Sequence, residues 1–209
     1  MSHLACGDKP KCKMTKNQIN TFKTSIKVFK ENNIKPKWIH IAASSAFLRQ
    51  NKYSNLGDMA RLGLALYGFD LGRTNTSLKP VLKLITQLVQ IKRIKKGETV
   101  GYDGIYQTAT DATIGVLPLG YNDGIKRRLS NKGYVSIKNI QCKIIGRVSM
   151  NITTIDISHI NSLFIGQETV IFSDSANDVN SIYYAAKICG TIPYDLMITL
   201  NPKIYRIII

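Results

Sequence analysis

Apolar residues recur along the first third of the chain at two spacings. His3 to Cys6 is a short apolar stretch, like the end of a buried strand. Thr15-Lys16-Asn17-Gln18 has the form of a capping box, with Thr15 as N-cap and Gln18 three residues on. Ile19, Phe22, Ile26 and Phe29 follow at helical spacing and predict an amphipathic helix over 16–31, which Asn32-Asn33 ends. Trp38 to Ala43 predicts a second buried strand. Ser44-Ser45 opens a short helix through Leu48, and Ala60 to Gly68 predicts a third buried strand. Strands apolar on both faces, alternating with helices, point to a parallel α/β sheet. Three such strands neither close a barrel nor make a doubly wound sheet, so this first segment reads as incomplete.

After Gly72-Arg73-Thr74-Asn75 the pattern changes. Short strands are predicted at 81–84, 88–91, 113–117, 134–137, 143–146, 153–157 and 169–172, punctuated by Gly and Asn turns. These predict a second, mostly antiparallel β-domain. Near its end Asn180 is placed to cap a helix from Ser181 to Cys189, with Gly190 as its stop.

One stretch of this second domain carries candidate chemistry. Leu117-Pro118-Leu119-Gly120-Tyr121-Asn122-Asp123-Gly124 ends an apolar run in Pro and Gly, then presents a phenol before a turn. Arg127 and Arg128 follow closely. The pattern predicts Tyr121 at a strand end beside fixed positive charge, which favours the phenolate a tyrosine base needs. Tyrosine is also a common strand residue, and on spacing alone a packing role is the more ordinary reading.

The 209 residues suit one large domain or two small ones, and 44% hydrophobic with 20% charged residues marks an ordinary globular chain. No apolar stretch is long enough to span a bilayer, and the N-terminus lacks a basic region followed by an apolar core, so a cytoplasmic location is expected. Cys6, Cys12, Cys142 and Cys189 show neither CxxC spacing nor a histidine cluster, which argues against zinc and against a disulfide framework. Net charge is +16. That raises nucleic-acid binding as a function. The lysines are scattered, however, outside Lys92-Arg93, Lys95-Lys96 and Lys126-Arg127-Arg128, so a basic binding module is the weaker reading.

Several motifs in order carry a family resemblance. They are Ser2-His3-Leu4-Ala5-Cys6-Gly7-Asp8, the His40-to-Ala46 segment, and Met59-Ala60-Arg61-Leu62-Gly63-Leu64-Ala65-Leu66-Tyr67-Gly68. Ile94-Lys95-Lys96-Gly97-Glu98-Thr99-Val100-Gly101-Tyr102, the Tyr121 motif, Gly146-Arg147-Val148-Ser149-Met150 and Ile192-Pro193-Tyr194 complete the set. The chain resembles the C-terminal part of an alanine racemase, a pyridoxal 5'-phosphate (PLP) isomerase of fold type III that interconverts L- and D-alanine for bacterial peptidoglycan. The resemblance implies the last three β/α units of a TIM-type barrel over residues 1–73, followed by a β-domain over 74–209. It also implies that the first five barrel strands, and with them the lysine that forms the Schiff base with PLP, are not in this chain. A split enzyme, a decayed gene or an internal start would each give such a sequence. The isolated chain is then expected to be inactive, unless a separate N-terminal piece completes the barrel.

By the same resemblance, Arg61 faces the PLP ring nitrogen and, holding its own proton tightly, leaves that nitrogen unprotonated. His3 matches the histidine that hydrogen-bonds the catalytic tyrosine. Tyr121 matches the base on the L-alanine face, acting in the partner protomer's site, so a homodimer is implied. Met150 and Asn151 fall beside the substrate carboxylate. Ser44, Gly63, Leu64 and Tyr194 match the phosphate cradle. No metal is implied. Each has a plainer reading: an ion pair for Arg61, a core histidine for His3, core packing for Met150, an N-cap for Ser44. Two positions depart from the family pattern. Ala43 stands where Asn is usual, which removes a donor worth about 1–3 kcal/mol of phosphate binding. Asn151 stands where Asp is usual, which removes a negative charge.

Overall fold

The helix expected from Ile19, Phe22, Ile26 and Phe29 forms as α1, Lys13–Glu31. The computed structural model describes residues 1–9, 11–49, 57–71 and 77–209. These fall into two compact units, Met1–Val81 and Leu82–Ile209.

In the first unit α1 starts earlier than the capping box implied. Its N-cap is Cys12, and Thr15 lies inside the first turn, 2% exposed, donating from Oγ1 to the Cys6 carbonyl at 3.1 Å. Gln18 does not cap either. Its Nε2 donates to the His3 carbonyl and its Oε1 accepts from the Ala5 N–H, which straps the N-terminal stretch to the helix. Leu4, Ile41, Ala42 and Ala46 form the buried cluster, with Ile19, Phe22 and Ala60 packed on it. Ser44 and Ser45 do open a short helix, α2, Ser44–Leu48.

The three expected strands of this unit do not form ladders. Among the described residues their pairing reduces to a parallel bridge between Ala43 and Arg61 and single bonds such as Ser2 N–H to His40 C=O at 3.0 Å. A parallel strand gains its ladder from partners in register on its edges, and these segments have few. The expected strand over 60–68 instead turns into a 3₁₀ segment at Leu64–Tyr67. Gly68 ends it with φ 80°, where an added Cβ would sit 1.8 Å from the Lys79 carbonyl oxygen. The Gly72 to Asn75 boundary lies outside the described residues.

The second unit's described strand ladders are antiparallel, and an isolated parallel bridge joins Ser173 to Ser181. Its strands are β1 (Leu84–Gln87), β2 (Gln90–Ile94), β3 (Thr99–Val100), β4 (Tyr106–Gln107), β5 (Ala112–Leu117), β6 (Tyr134–Ile137), β7 (Ile140–Lys143), β8 (Thr153–Asp156) and β9 (Glu168–Phe172). They pair as β1-β9-β6-β7, β2-β5-β8 and β3-β4. The strands expected at 113–117, 134–137, 153–157 and 169–172 are found within a residue or so. Those expected at 81–84, 88–91 and 143–146 are displaced. For the last, Lys138 and Asn139 both take positive φ (51° and 64°), which makes a two-residue hairpin and forces pairing to begin at Ile137 and Ile140. Ile144 keeps only an isolated bridge to Ile155.

Leu88, Leu117, Ile125, Ile137, Ile144, Ile145, Ile155 and Ile157 are fully enclosed here, with Ile182 and Leu196 from two helices. Cys142 lies in this interior, and burial first, then the Asp156 charge, pushes its thiol up to about 12. The helix before Gly190 forms as α3, Ile182–Cys189, and Gly190 ends it with φ 66°. Its N-cap is Ser181, whose Oγ accepts from the Tyr184 N–H. Asn180 is buried instead, donating to the Val170 carbonyl and the Ser136 hydroxyl. A final short helix, α4, spans Pro193–Ile198. Among the described residues no helix is long and apolar enough to cross a membrane.

Candidate active site

The Ala43–Arg61 bridge organises the first unit's candidate residues. Arg61 N–H donates to the Ala42 carbonyl at 3.0 Å, which sets the side chain among groups from three separate stretches. Its Nη1 lies 2.6 Å from His40 Nδ1. Its Nη2 lies 2.9 Å from His3 Nδ1 and donates to the Ser2 carbonyl at 2.9 Å. A guanidinium only donates, so both ring nitrogens accept. Burial, then the Arg61 charge, then the chain's N-terminal ammonium hold His40 below its ordinary pKa. No carboxylate is bonded to Arg61 among the described residues, so it is a cation held by neutral acceptors.

The same bridge sets Ser44 beside Gly63. Ser44 is nearly buried, and its Oγ accepts from the Gly63 N–H at 2.9 Å and the Ala65 N–H at 3.3 Å. Leu64 lies between them as the first residue of the 3₁₀ segment. A hydroxyl and two backbone amides therefore converge at one point. Ser44 is the first helical residue of α2, whose N-cap is Ala43.

In the second unit, Tyr121 does not end a strand. It opens a 3₁₀ turn, Tyr121–Asp123, after Gly120, and is 48% exposed. Tyr121 N–H donates to the Ser149 carbonyl and Asn122 N–H to the Met150 carbonyl, both at 2.9 Å. Asp123 Oδ2 accepts from the Gly120 N–H at 2.9 Å and closes the turn. Val148 N–H donates to Ser130 Oγ and Gly146 N–H to Asn131 Oδ1, so the stretches 120–131 and 146–151 are fastened along their length. Arg147 also pairs with Asp103 at 2.7 Å. On its other side the turn is held by Asn201, which donates to the Asn122 carbonyl at 3.1 Å. Of the two arginines expected beside Tyr121, Arg128 is employed elsewhere: its Nη1 donates to the Cys189 carbonyl at the end of α3. Met150 and Asn151 are exposed beside Tyr121's turn, and Tyr194, second residue of α4, is 39% exposed.

Both units match one family. Residues 1–70 match the model for the alanine racemase N-terminal domain, and residues 81–208 the model for the alanine racemase C-terminal domain.

The chain belongs to the alanine racemase family.

An alanine racemase of Borreliella burgdorferi is 38% identical over 166 residues, which cover 78% of this chain and 44% of the relative. One from Francisella philomiragia is 32% identical over 213 residues, covering 100% and 58%. The crystal structure of alanine racemase from Bartonella henselae with covalently bound pyridoxal phosphate matches with a TM-score of 0.85 at 28% identity, covering 99% of this chain and 55% of that one. The chain thus spans about half the length of the racemases it matches.

In the sequence His40 stood out only as the start of the His40-to-Ala46 segment, with no role of its own. It stands inside an apolar run, where a lone histidine most often packs, and only the tertiary bond to Arg61 singles it out. Ala65 was missed for a similar reason: its contribution is a backbone N–H, which no side chain advertises.

Proposed function

We propose that this chain contributes the arginine-and-phenol portion of a PLP-dependent site that interconverts L- and D-alanine. The observation that carries the reading is the Arg61 cluster. An arginine bonded to His40, His3 and a backbone carbonyl, with no carboxylate partner among the described residues, suits an aromatic nitrogen that must stay unprotonated. The donors around Ser44 test the fit of the phosphate. A hydroxyl with the amides of Gly63 and Ala65 is the donor set an anion takes, and the residues present fit PLP on that ground.

On this reading Ser44, Gly63, Leu64 and Tyr194 hold the phosphate and Arg61 faces the ring. When bound, PLP supplies the electron sink that makes an amino acid's α-proton removable. Tyr121 takes and returns that proton on the L face, His3 orients the phenol, and Met150 and Asn151 border the substrate carboxylate. The reading includes a homodimer with shared sites, a cytoplasmic location, and residues 1–73 as the last three units of a TIM-type barrel. On this reading the amine that anchors PLP belongs to a lysine in the portion of the racemase fold that precedes these residues. Residues 1–209 then turn over only when the remaining portion of the racemase fold supplies that amine.

The test is to titrate the purified chain with PLP, and to assay D-alanine formation alone and after co-expression with the N-terminal portion of a relative. Turnover is expected only in the co-expressed sample, falling by about 10²–10⁴-fold in Tyr121→Phe. PLP affinity unchanged in both Arg61→Ala and Ser44→Ala would remove the proposed site.

A further inference from the structure

Two thiols at the start of α1 stand outside the site described above. Cys12 is the N-cap of this 19-residue helix, and Cys6 precedes it by two tight turns. Lys9 N–H donates to the Cys6 carbonyl at 3.0 Å, and Cys12 N–H to the Lys9 carbonyl at 3.4 Å. The Thr15 hydroxyl, from inside α1, bonds that same Cys6 carbonyl at 3.1 Å. Gln18 clamps the stretch just before it through Ala5 N–H and the His3 carbonyl. These bonds hold the Cys6 stretch against the first turns of α1, where the Cys6 and Cys12 thiols interact with each other. Both are partly exposed, whereas Cys142 and Cys189 are buried.

We propose that Cys6 and Cys12 are a redox-responsive dithiol that closes to a disulfide, fastening the Ser2–Cys6 stretch to α1 and with it the His3 that bonds Arg61.

The two sulfurs are unequal, as an attacking and a resolving thiol should be. The Cys6 thiol beside it, followed by the Thr15 amide, lowers the Cys12 pKa. Cys6 is raised, first by Cys12 and then by burial, with Lys9 and Asp8 opposing each other. The sulfur favoured as thiolate is the one at the helix N-terminus, where negative charge is stabilised. With a peroxide as oxidant, the Cys12 thiolate attacks one oxygen, the O–O bond breaks, and hydroxide leaves and is protonated to water. Cys12 is then a sulfenic acid. The Cys6 sulfur attacks it, the S–S bond forms, and the departing hydroxide takes the Cys6 proton as a second water. Two thiols lose two electrons and one peroxide becomes two waters. A thiol reductant reverses the bond by exchange.

The experiment treats the purified full chain with stoichiometric hydrogen peroxide, alkylates it without reductant, and maps it after trypsin, which separates Cys6 from Cys12 at Lys11. The expected product joins the two peptides with loss of two hydrogens and is released by dithiothreitol. In Cys6→Ser, peroxide should leave a sulfenic acid on Cys12 that dimedone traps. In the reduced chain at pH 7, iodoacetamide should label Cys12 several-fold faster than Cys6. Separate alkylated peptides after peroxide, cross-links to Cys142 or Cys189 instead, or faster labelling of Cys6 would each overturn the proposal.

Discussion

Arg61 Nη1 stands 2.6 Å from His40 Nδ1, and since the guanidinium can only donate, the His40 proton sits on Nε2. Protonating Nδ1 would place two donors face to face and bring a second cation against Arg61.

A pH dependence follows. The folded pKa of His40 is depressed by burial and by Arg61, while the unfolded ring titrates near 6.5. Between these values the unfolded chain binds more protons than the folded one. The stabilisation is therefore present above about pH 6.5 and is lost as pH falls through the folded value. Thermal unfolding of the first unit should weaken with acid over that range, and His40→Gln, which offers an amide acceptor and cannot titrate, should flatten the slope. Equal slopes in both proteins would contradict it.

Ser44 accepts from two backbone amides in a nearly buried position. Ser44→Ala leaves both without that partner, at a cost of about 1–3 kcal/mol. Chemical denaturation should register the loss in the first unit, while Ser44→Thr, which keeps the oxygen, should lose less.

Gly120 is needed for its lack of a side chain. A Cβ there would fall 2.2 Å from the Ser149 carbonyl oxygen and 2.4 Å from that of Met150. Gly120→Ala must part the Tyr121 turn from residues 149–150, at about 3 kcal/mol or more. Amide exchange at Tyr121 and Asn122 should accelerate in this variant, with little change in the β1-β9-β6-β7 sheet.

The first unit should be cut first by a protease. Its buried cluster is Leu4, Ile41, Ala42 and Ala46, while Phe29, Trp38 and Leu66 are exposed. The second unit encloses Leu88, Leu117, Ile125, Ile137, Ile155 and Leu196. Brief proteolysis is expected to leave a fragment beginning near residue 82. Survival of residues 1–73 beside a degraded C-terminal part would reverse the expectation.

The β-domain was largely legible because its strands are short, alternate in burial and are cut by glycine and asparagine. Where strands shifted, the cause was a turn: the Lys138-Asn139 pair takes positive φ, and β7 starts three residues before the apolar run suggested. In the first unit the expected strands differ most from what forms. Trp38–Ala43 and Ala60–Gly68 have the composition of buried strands, yet composition cannot supply partners, and a single bridge joins them. Thr15 and Asn180 had the right chemistry for caps and were displaced by the neighbours that began the helices, Cys12 and Ser181.

Periodicity and punctuation, which act over a few residues, were enough for α1, for the β5, β6, β8 and β9 strands and for the stop at Gly190. They carry no information on what meets across the chain. Arg61 finds His40 at a separation of 21 residues and His3 at 58. Tyr121's turn is sewn to Ser149 and Met150 by backbone groups that look alike in every residue. A side chain's type is written locally, but its hydrogen-bond partner is chosen by packing, because only folding brings the competing donors and acceptors within 3 Å of one another.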